Sequence, residues 1–207
     1  MFLTILALVA AYFIGSIPWA YIISNYICHI NIMEHGSGNV GATNTFRVLG
    51  PKYGSIVFLL DLGKGFIAAM IGGLVGGDAL TVWTGLIAIV AHTLSIFLRF
   101  KGGKGVATGA GVIFWWCPPA IICALIVWAI LALTTGYISI ASIIACLSCC
   151  VFIWLFNGTG LEILFCCLAV AYIVYKHRSN IKRLFQGTEN RVDWKKVLEK
   201  RKNKHKE

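Results

Sequence analysis

Apolar residues fall in long runs separated by short polar segments. The first run covers about Phe2 to Ile23, long enough for a bilayer core that takes ~20 helical residues to cross. A second runs from about Tyr53 to Val75, interrupted by Asp61 and Lys64, and a third from about Leu80 to Leu98. The stretch from Val106 to Phe156 is cut by Pro118-Pro119 and by Thr134-Thr135-Gly136, which divides it into three segments, the first of them short. A last run, about Leu161 to Tyr175, precedes a polar tail. The pattern predicts an all-α polytopic membrane protein with about seven transmembrane helices, or five if the middle stretch folds differently. Either count is odd, which sets the termini on opposite sides of the membrane. No basic residue precedes the Phe2 run and no A-x-A pattern follows it, so it reads as a span and not as a removable signal.

Composition strengthens the membrane reading: 58% of the 207 residues are hydrophobic and 13% charged, against about a quarter charged in soluble domains. The length suits one domain, which we place at residues 1–191, followed by a basic tail at 192–207. Seventeen of the eighteen Lys and Arg lie at about 25–52, 99–105 and 176–207, and the turns at about 76–79, 117–119 and 157–160 carry none. The positive-inside rule therefore puts the first set in the cytoplasm, the C-terminus with it and the N-terminus outside. With the positive charge beside apolar spans, the net +10 suits anionic membrane phospholipids and not nucleic acid. The eight cysteines mostly lie inside apolar runs, where Cys behaves as a small hydrophobe. Cys146-x-x-Cys149 lacks the second pair or the His that a metal site requires.

The candidate chemistry is concentrated in three segments on the predicted cytoplasmic face. The first reads Gly36-Ser37-Gly38-Asn39-Val40-Gly41-Ala42-Thr43-Asn44, followed by Arg47. Gly36, Gly38 and Gly41 spell G-x-G-x-x-G, but that fingerprint has meaning only inside a βαβ unit. As a P-loop the segment fails because Ala42 stands where the lysine belongs. What remains is a glycine-rich backbone able to turn N–H groups toward an anion, with Arg47 as a bidentate clamp. The second segment, Arg99-Phe100-Lys101-Gly102-Gly103-Lys104-Gly105-Val106-Ala107-Thr108, runs into an apolar helix. A helix start offers unpaired N–H groups to an anion. Membrane anchoring accounts for Arg99 and Lys101, but not for three glycines around Lys104. In the third, His177 and Asn180 are three apart on one predicted helical face, followed by Gly187-Thr188-Glu189-Asn190. Within the spans, Asp61 and Lys64 sit at i and i+3, where a structural ion pair and a catalytic role are equally open. His92 fits a neutral core histidine.

In these three segments the sequence closely resembles the bacterial acyl-phosphate:glycerol-3-phosphate acyltransferase family, PlsY. Its cytoplasmic motifs are similar to Gly36–Arg47, Gly102–Gly111 and His177–Glu189. Lesser similarities lie at Gly15-Ser16-Ile17-Pro18, at Asp61 with Lys64-Gly65, and at Gly136-Tyr137-Ile138-Ser139 with Ser142. The resemblance implies transfer of an acyl group from a lipid-embedded acyl phosphate to the 1-hydroxyl of glycerol 3-phosphate. The products would be lysophosphatidic acid and phosphate, made at the cytoplasmic face of a bacterial inner membrane with no cofactor or metal. The expected roles are Ser37 and Asn39, with neighbouring amides of Gly38 and Gly41, on the acyl phosphate. Arg47, Lys104, His177 and Asn180 are expected on glycerol 3-phosphate. Thr43, Asn44, Thr108, Ser142 and the glycines Gly103 and Gly105 are expected in support. His177 or a substrate phosphate oxygen would take the hydroxyl proton.

The residues agree with that chemistry. An acyl phosphate is already activated, so positioning and stabilisation of the leaving phosphate suffice, and no Ser-His-Asp arrangement stands out. The H-x-x-x-x-D acyltransferase signature is missing, since His29, His35, His92 and His177 are followed at that spacing by Glu34, Val40, Phe97 and Lys182. An organophosphate transporter would place polar groups toward both faces and the midplane, and here the phosphate-like segments share one face. A non-catalytic scaffold would explain the apolar runs and the tail, but not the three segments.

Overall fold

The computed structural model describes residues 1–156, 160–192 and 194, so most of the basic tail lies outside the described residues. Those residues form helices joined by turns, with no strand among them. The helices are α1 (Phe2–Ser16), α2 (Trp19–Ile22, continued by a π-helical turn Ile23–Ile27), α3 (Ala42–Leu49), α4 (Pro51–Thr93), α5 (Val106–Trp116), α6 (Pro118–Thr135), α7 (Ile138–Phe156), α8 (Gly160–Lys176) and α9 (Arg178–Phe185).

Helix α4 is two antiparallel legs. Gly76 and Gly77 leave helical geometry, Gly77 at φ 65°, a value that side chains with a Cβ rarely adopt. The chain turns back there, so that Asp61 on the outgoing leg meets His92 on the return leg. The break falls in the turn expected at 76–79. Among the described residues four helical stretches are long and apolar enough to cross a membrane: Phe2–Ile27, Pro51–Leu98, Pro118–Thr135 and Ile138–Phe156. A fifth arises if α8 and α9, bent by 55°, form one span. The expected seven differs because the α4 hairpin counts there as one stretch. Helix α5, at 11 residues, is also short of the ~20 that a crossing takes. The protein is an all-helical, multi-pass membrane protein.

Pro18 ends α1 because it has no N–H to continue the ladder and restricts Ile17 to extended geometry; Ile17 has ψ 118°. The carbonyls freed at the break would be costly in lipid. Ser95 Oγ donates to the Ser16 carbonyl at 2.6 Å, and Lys64 Nζ to the Ile17 carbonyl at 2.8 Å. Both donors come from the α4 hairpin and the turn after it, which ties α1 to the hairpin.

Small residues let the helix axes approach, as is usual where lipid replaces the hydrophobic drive between helices. Ala11, Ala68 and Ala88 are fully buried between α1 and the two legs of α4. A Cβ at Gly65 would run into the Thr108 carbonyl, and one at Gly111 into the Leu62 carbonyl. Helices α4 and α5 thus touch nearly backbone to backbone. A larger core holds Ile89, Val112, Ile121, Ile153, Phe165 and Val170 from the return leg of α4 and from α5 to α8. A smaller one, with Ile23, Ile32, Val40 and Val57, lies under the first polar loop.

Candidate active site

The first loop is built around one side chain. Asn44 is 1% exposed. Its Oδ1 accepts from the Ser37 N–H at 2.9 Å, and its Nδ2 donates to the carbonyls of Ile32 at 3.2 Å and His35 at 3.0 Å. Gly36 and Gly38 both have positive φ, 64° and 68°, and a Cβ on Gly36 would strike the Asn44 amide. The loop thus turns tightly over Asn44 and delivers the chain to α3. The amides of Ser37, Gly38 and Gly41 are already engaged with Asn44 Oδ1 and the carbonyls of His35 and Asn39. An anion in the cavity would instead meet the side chains of Ser37 and Asn39 and the start of α3. Ala42 and Thr43 line the cavity there, and helix-start amides have no intrahelical acceptor.

The second loop folds onto the end of α4. The amide of Gly102 donates to the Thr93 carbonyl at 3.1 Å and that of Gly103 to the His92 carbonyl at 3.2 Å. No Cβ fits at either glycine, because the His92 backbone meets the first and the His92 ring with the Val40 carbonyl meets the second. These glycines let the loop press between α4 and the first loop, and Gly105, at φ 87°, turns it into α5. Lys104 is the residue the turn presents. Its Nζ donates to Asn180 Oδ1 on α9 at 2.5 Å.

Past α8, His177 is buried, and its Nδ1 lies 2.8 Å from the Ile173 carbonyl. A carbonyl can only accept, so Nδ1 carries the proton and a neutral ring keeps Nε2 as its free acceptor. Burial, reinforced by the Lys104 charge, pushes the His177 pKa down to about 4, which keeps the ring neutral near pH 7. Asn180 Nδ2 and Arg183 Nε both donate to the Glu189 carboxylate at 2.7 Å. Burial alone would raise the Glu189 pKa, but those two hydrogen bonds hold it below the ordinary value. Lys104 is lowered to about 8, mainly by burial and in opposition to Glu189, with the Arg183 and Arg47 charges adding to the shift.

The three segments enclose a polar cavity of about 120 Å³. Of the expected site residues, Ser37, Asn39, Gly41, Thr43, Asn44, Arg47, Lys104, Gly105, Ser142, His177 and Asn180 line it. Gly38, Gly103 and Thr108 do not: the two glycines shape the loops, and Thr108 is fully buried against Gly65. Residues to which the sequence attached no site role complete the wall, among them Phe58, Trp128, Ser139, Arg183, Glu189 and Asn190. Trp128 Nε1 donates to Ser142 Oγ at 3.2 Å, which leaves the serine proton free for a ligand. Asp61 and His92 form the floor. Asp61 is held by Lys64 at 2.9 Å and lies 3.6 Å from His92 Nδ1.

A second cavity of about 520 Å³ adjoins the first, with Ala42, Thr43, Phe58, Val106, Trp128 and Ile138 common to both walls. Its remaining lining is almost wholly apolar and descends along α5 to α8 through Gly109, Ile113, Ile121, Ala145, Cys149 and Cys166. A polar compartment bearing Arg47, Lys104 and Arg183 thus shares a wall with a larger apolar one.

A family model described as "Glycerol-3-phosphate acyltransferase" matches residues 5–187. The chain belongs to this family. A glycerol-3-phosphate acyltransferase 2 of Moorella thermoacetica is 43% identical over 188 residues, 91% of this chain and 97% of the relative. A glycerol-3-phosphate acyltransferase of Desulforudis audaxviator is 42% identical over 193 residues, 93% of this chain and 97% of the relative. Among solved structures, the glycerol 3-phosphate form of PlsY (YgiH), an integral membrane glycerol 3-phosphate acyltransferase, superposes with a TM-score of 0.89 at 38% identity. It covers 94% of this chain and 98% of the other. The lysophosphatidic acid form of PlsY gives 0.87 at the same identity and coverage. The glycerol-3-phosphate acyltransferase fold therefore extends across both cavities described above.

Proposed function

We propose that this glycerol-3-phosphate acyltransferase takes its acyl group from a membrane-embedded acyl phosphate. It transfers the group to the 1-hydroxyl of glycerol 3-phosphate, giving lysophosphatidic acid and inorganic phosphate, an initial step of phospholipid synthesis. The observation that carries this reading is the shared wall of the two cavities. A donor with a hydrocarbon tail and a phosphate head fits across that wall, and glycerol 3-phosphate fits the polar side alone. The apolar runs and basic segments support a bacterial inner-membrane location with the polar cavity toward the cytoplasm. Counting each leg of α4 and the short α5 as crossings supports seven spans.

In this mechanism Arg47, Lys104 and Asn180 hold the glycerol 3-phosphate phosphate, with Ser142 donating the proton that Trp128 leaves free. Ser37, Asn39 and the start of α3 receive the acyl phosphate head. The 1-hydroxyl oxygen attacks the acyl carbonyl carbon, the C–O bond to phosphate breaks, and phosphate departs with the electron pair. The hydroxyl proton passes to a substrate phosphate oxygen; burial and the Lys104 charge lower the His177 pKa and so weaken that ring as the base. Holding both substrates in attack geometry supplies much of the rate, because an acyl phosphate needs no further activation. Purified protein given labelled glycerol 3-phosphate should form lysophosphatidic acid from acyl phosphate, and not from acyl-CoA or acyl carrier protein. Transfer from acyl-CoA at equal efficiency would reject the donor assignment.

A further inference from the structure

Residues 188–192 and 194 lie beyond the stretch matched by the family model, which ends at 187, yet they border both cavities. Glu189 and Asn190 line the polar side, and Val192 and Trp194 the apolar side. The segment is strapped to the turn between α6 and α7. Val192 N donates to the Gly136 carbonyl at 2.9 Å, Arg191 Nε to the Thr135 carbonyl at 3.0 Å, and Trp194 Nε1 to the Ala132 carbonyl at 2.8 Å. Arg191 also lies over the Tyr137 ring at 5.8 Å.

The far side of the apolar cavity is α3 with the outgoing leg of α4. That leg and α6 border the cavity without packing along one another. At the level of the polar compartment this space is bridged by two rings: Phe46 and Trp194 stand edge to face with centroids 6.1 Å apart. Phe46 is fixed, because Gly54 on α4 sits against its backbone with no room for a Cβ. Trp194 is the partner that the C-terminal segment brings to it.

Given the acyltransferase reading above, we infer that Trp194 is a binding residue of the acyl-donor site, closing the wall around the methylenes nearest the carbonyl. Its height decides which methylenes. It is tied to the last turn of α6, near the residues shared by the two cavities, whereas Ile121, Cys149 and Cys166 lie toward the other end of the helices. Trp194 therefore contributes to acyl-phosphate binding without measuring chain length.

The test is steady-state kinetics of the full chain with decanoyl and hexadecanoyl phosphate, varying each acyl phosphate and glycerol 3-phosphate in turn. Trp194→Ala should raise KM for both acyl phosphates by roughly threefold to tenfold, the scale of a lost aromatic contact, with KM for glycerol 3-phosphate unchanged. Trp194→Phe, which keeps a ring and loses the Nε1 hydrogen bond, should recover most of the affinity. The inference is overturned if Trp194→Ala leaves the acyl-phosphate KM unchanged, or raises both substrates' KM alike as a loosened tether would. It is also overturned if the Phe variant is as impaired as the Ala variant, or if the effect differs between the two chain lengths. Wild-type protein that transfers from acyl-CoA and not from acyl phosphate would instead remove the reading on which the inference stands.

Discussion

Lys104, presented by the loop before α5, donates its ammonium to the amide oxygen of Asn180 on α9 at 2.5 Å, 76 residues away in sequence. Asn180 passes the interaction on, since its own amide nitrogen donates to Glu189. The second and third polar segments are thereby one charged network. Lys104→Ala should lower kcat/KM for glycerol 3-phosphate by roughly 100-fold or more, the scale of removing a preorganised charge at a reacting centre. Asn180→Ala should follow it in the same direction. Measured effects of less than threefold in both variants would remove them from the site.

The ionisation of Lys104 gives a pH signature. Burial lowers its pKa to about 8, so raising the pH through that value strips the ammonium and the phosphate loses its partner. An alkaline fall in kcat/KM, which reports the free enzyme, is expected near pH 8. Lys104→Arg, which stays charged, should carry the plateau to higher pH if the longer group is tolerated. Glu189 works against the shift, so Glu189→Gln should move the alkaline fall to lower pH. A fall at unchanged pH in both variants would assign it to another group.

Lys64 carries two obligations in the membrane interior, the Asp61 carboxylate and the Ile17 carbonyl. Lys64→Met leaves the Asp61 carboxylate with only His92 beside it and the Ile17 carbonyl with only the Trp19 amide, and should cost about 3–5 kcal/mol, as breaking a buried ion pair does. Adding Asp61→Asn should return part of the loss, because the buried charge is then gone. Thermal unfolding of the single and double variants in detergent reads this directly. Additive losses would show that the two side chains act independently.

Close contact between α4 and α5 rests on glycine at 65 and 111. Gly65→Ala and Gly111→Ala each force a methyl against a carbonyl of the facing helix. They should destabilise by about 1–3 kcal/mol, the usual cost of overpacking. The Lys104 loop feeds α5, so activity should fall as well. An unfolding midpoint equal to wild type would contradict the crossing.

Much of this site could be read from spacing because its residues are carried by local segments. Gly36 to Arg47, the glycines around Lys104, and His177 with Asn180 each announce themselves within a dozen positions. The turn at Gly76–Gly77 was legible for the same reason, whereas the break at Pro18 was not, because the apolar run continues through it to Ile23. Roles decided by three-dimensional neighbours were not. Asn44 reads as a ligand donor but is occupied in holding the first loop, and Gly103 reads as a cradle but is a spacer over His92. Trp128 sits in an apolar run with nothing to distinguish it from a lipid-facing ring. Its importance comes from Ser142, 14 residues on and across the next turn. Trp194 was hidden in a stretch that charge alone marked as a membrane tail.

The polar cavity sets Arg47, Lys104 and Arg183 against one carboxylate, Glu189, once Asp61 is assigned to Lys64. Such a surplus of positive charge attracts dianions in general and does not by itself distinguish glycerol 3-phosphate from the free phosphate released by the acyl donor. Phosphate released from the acyl donor would therefore compete with fresh glycerol 3-phosphate for the same cations. The ratio of the two in the surrounding water, and not the ester concentration alone, would set the pace at which the membrane grows.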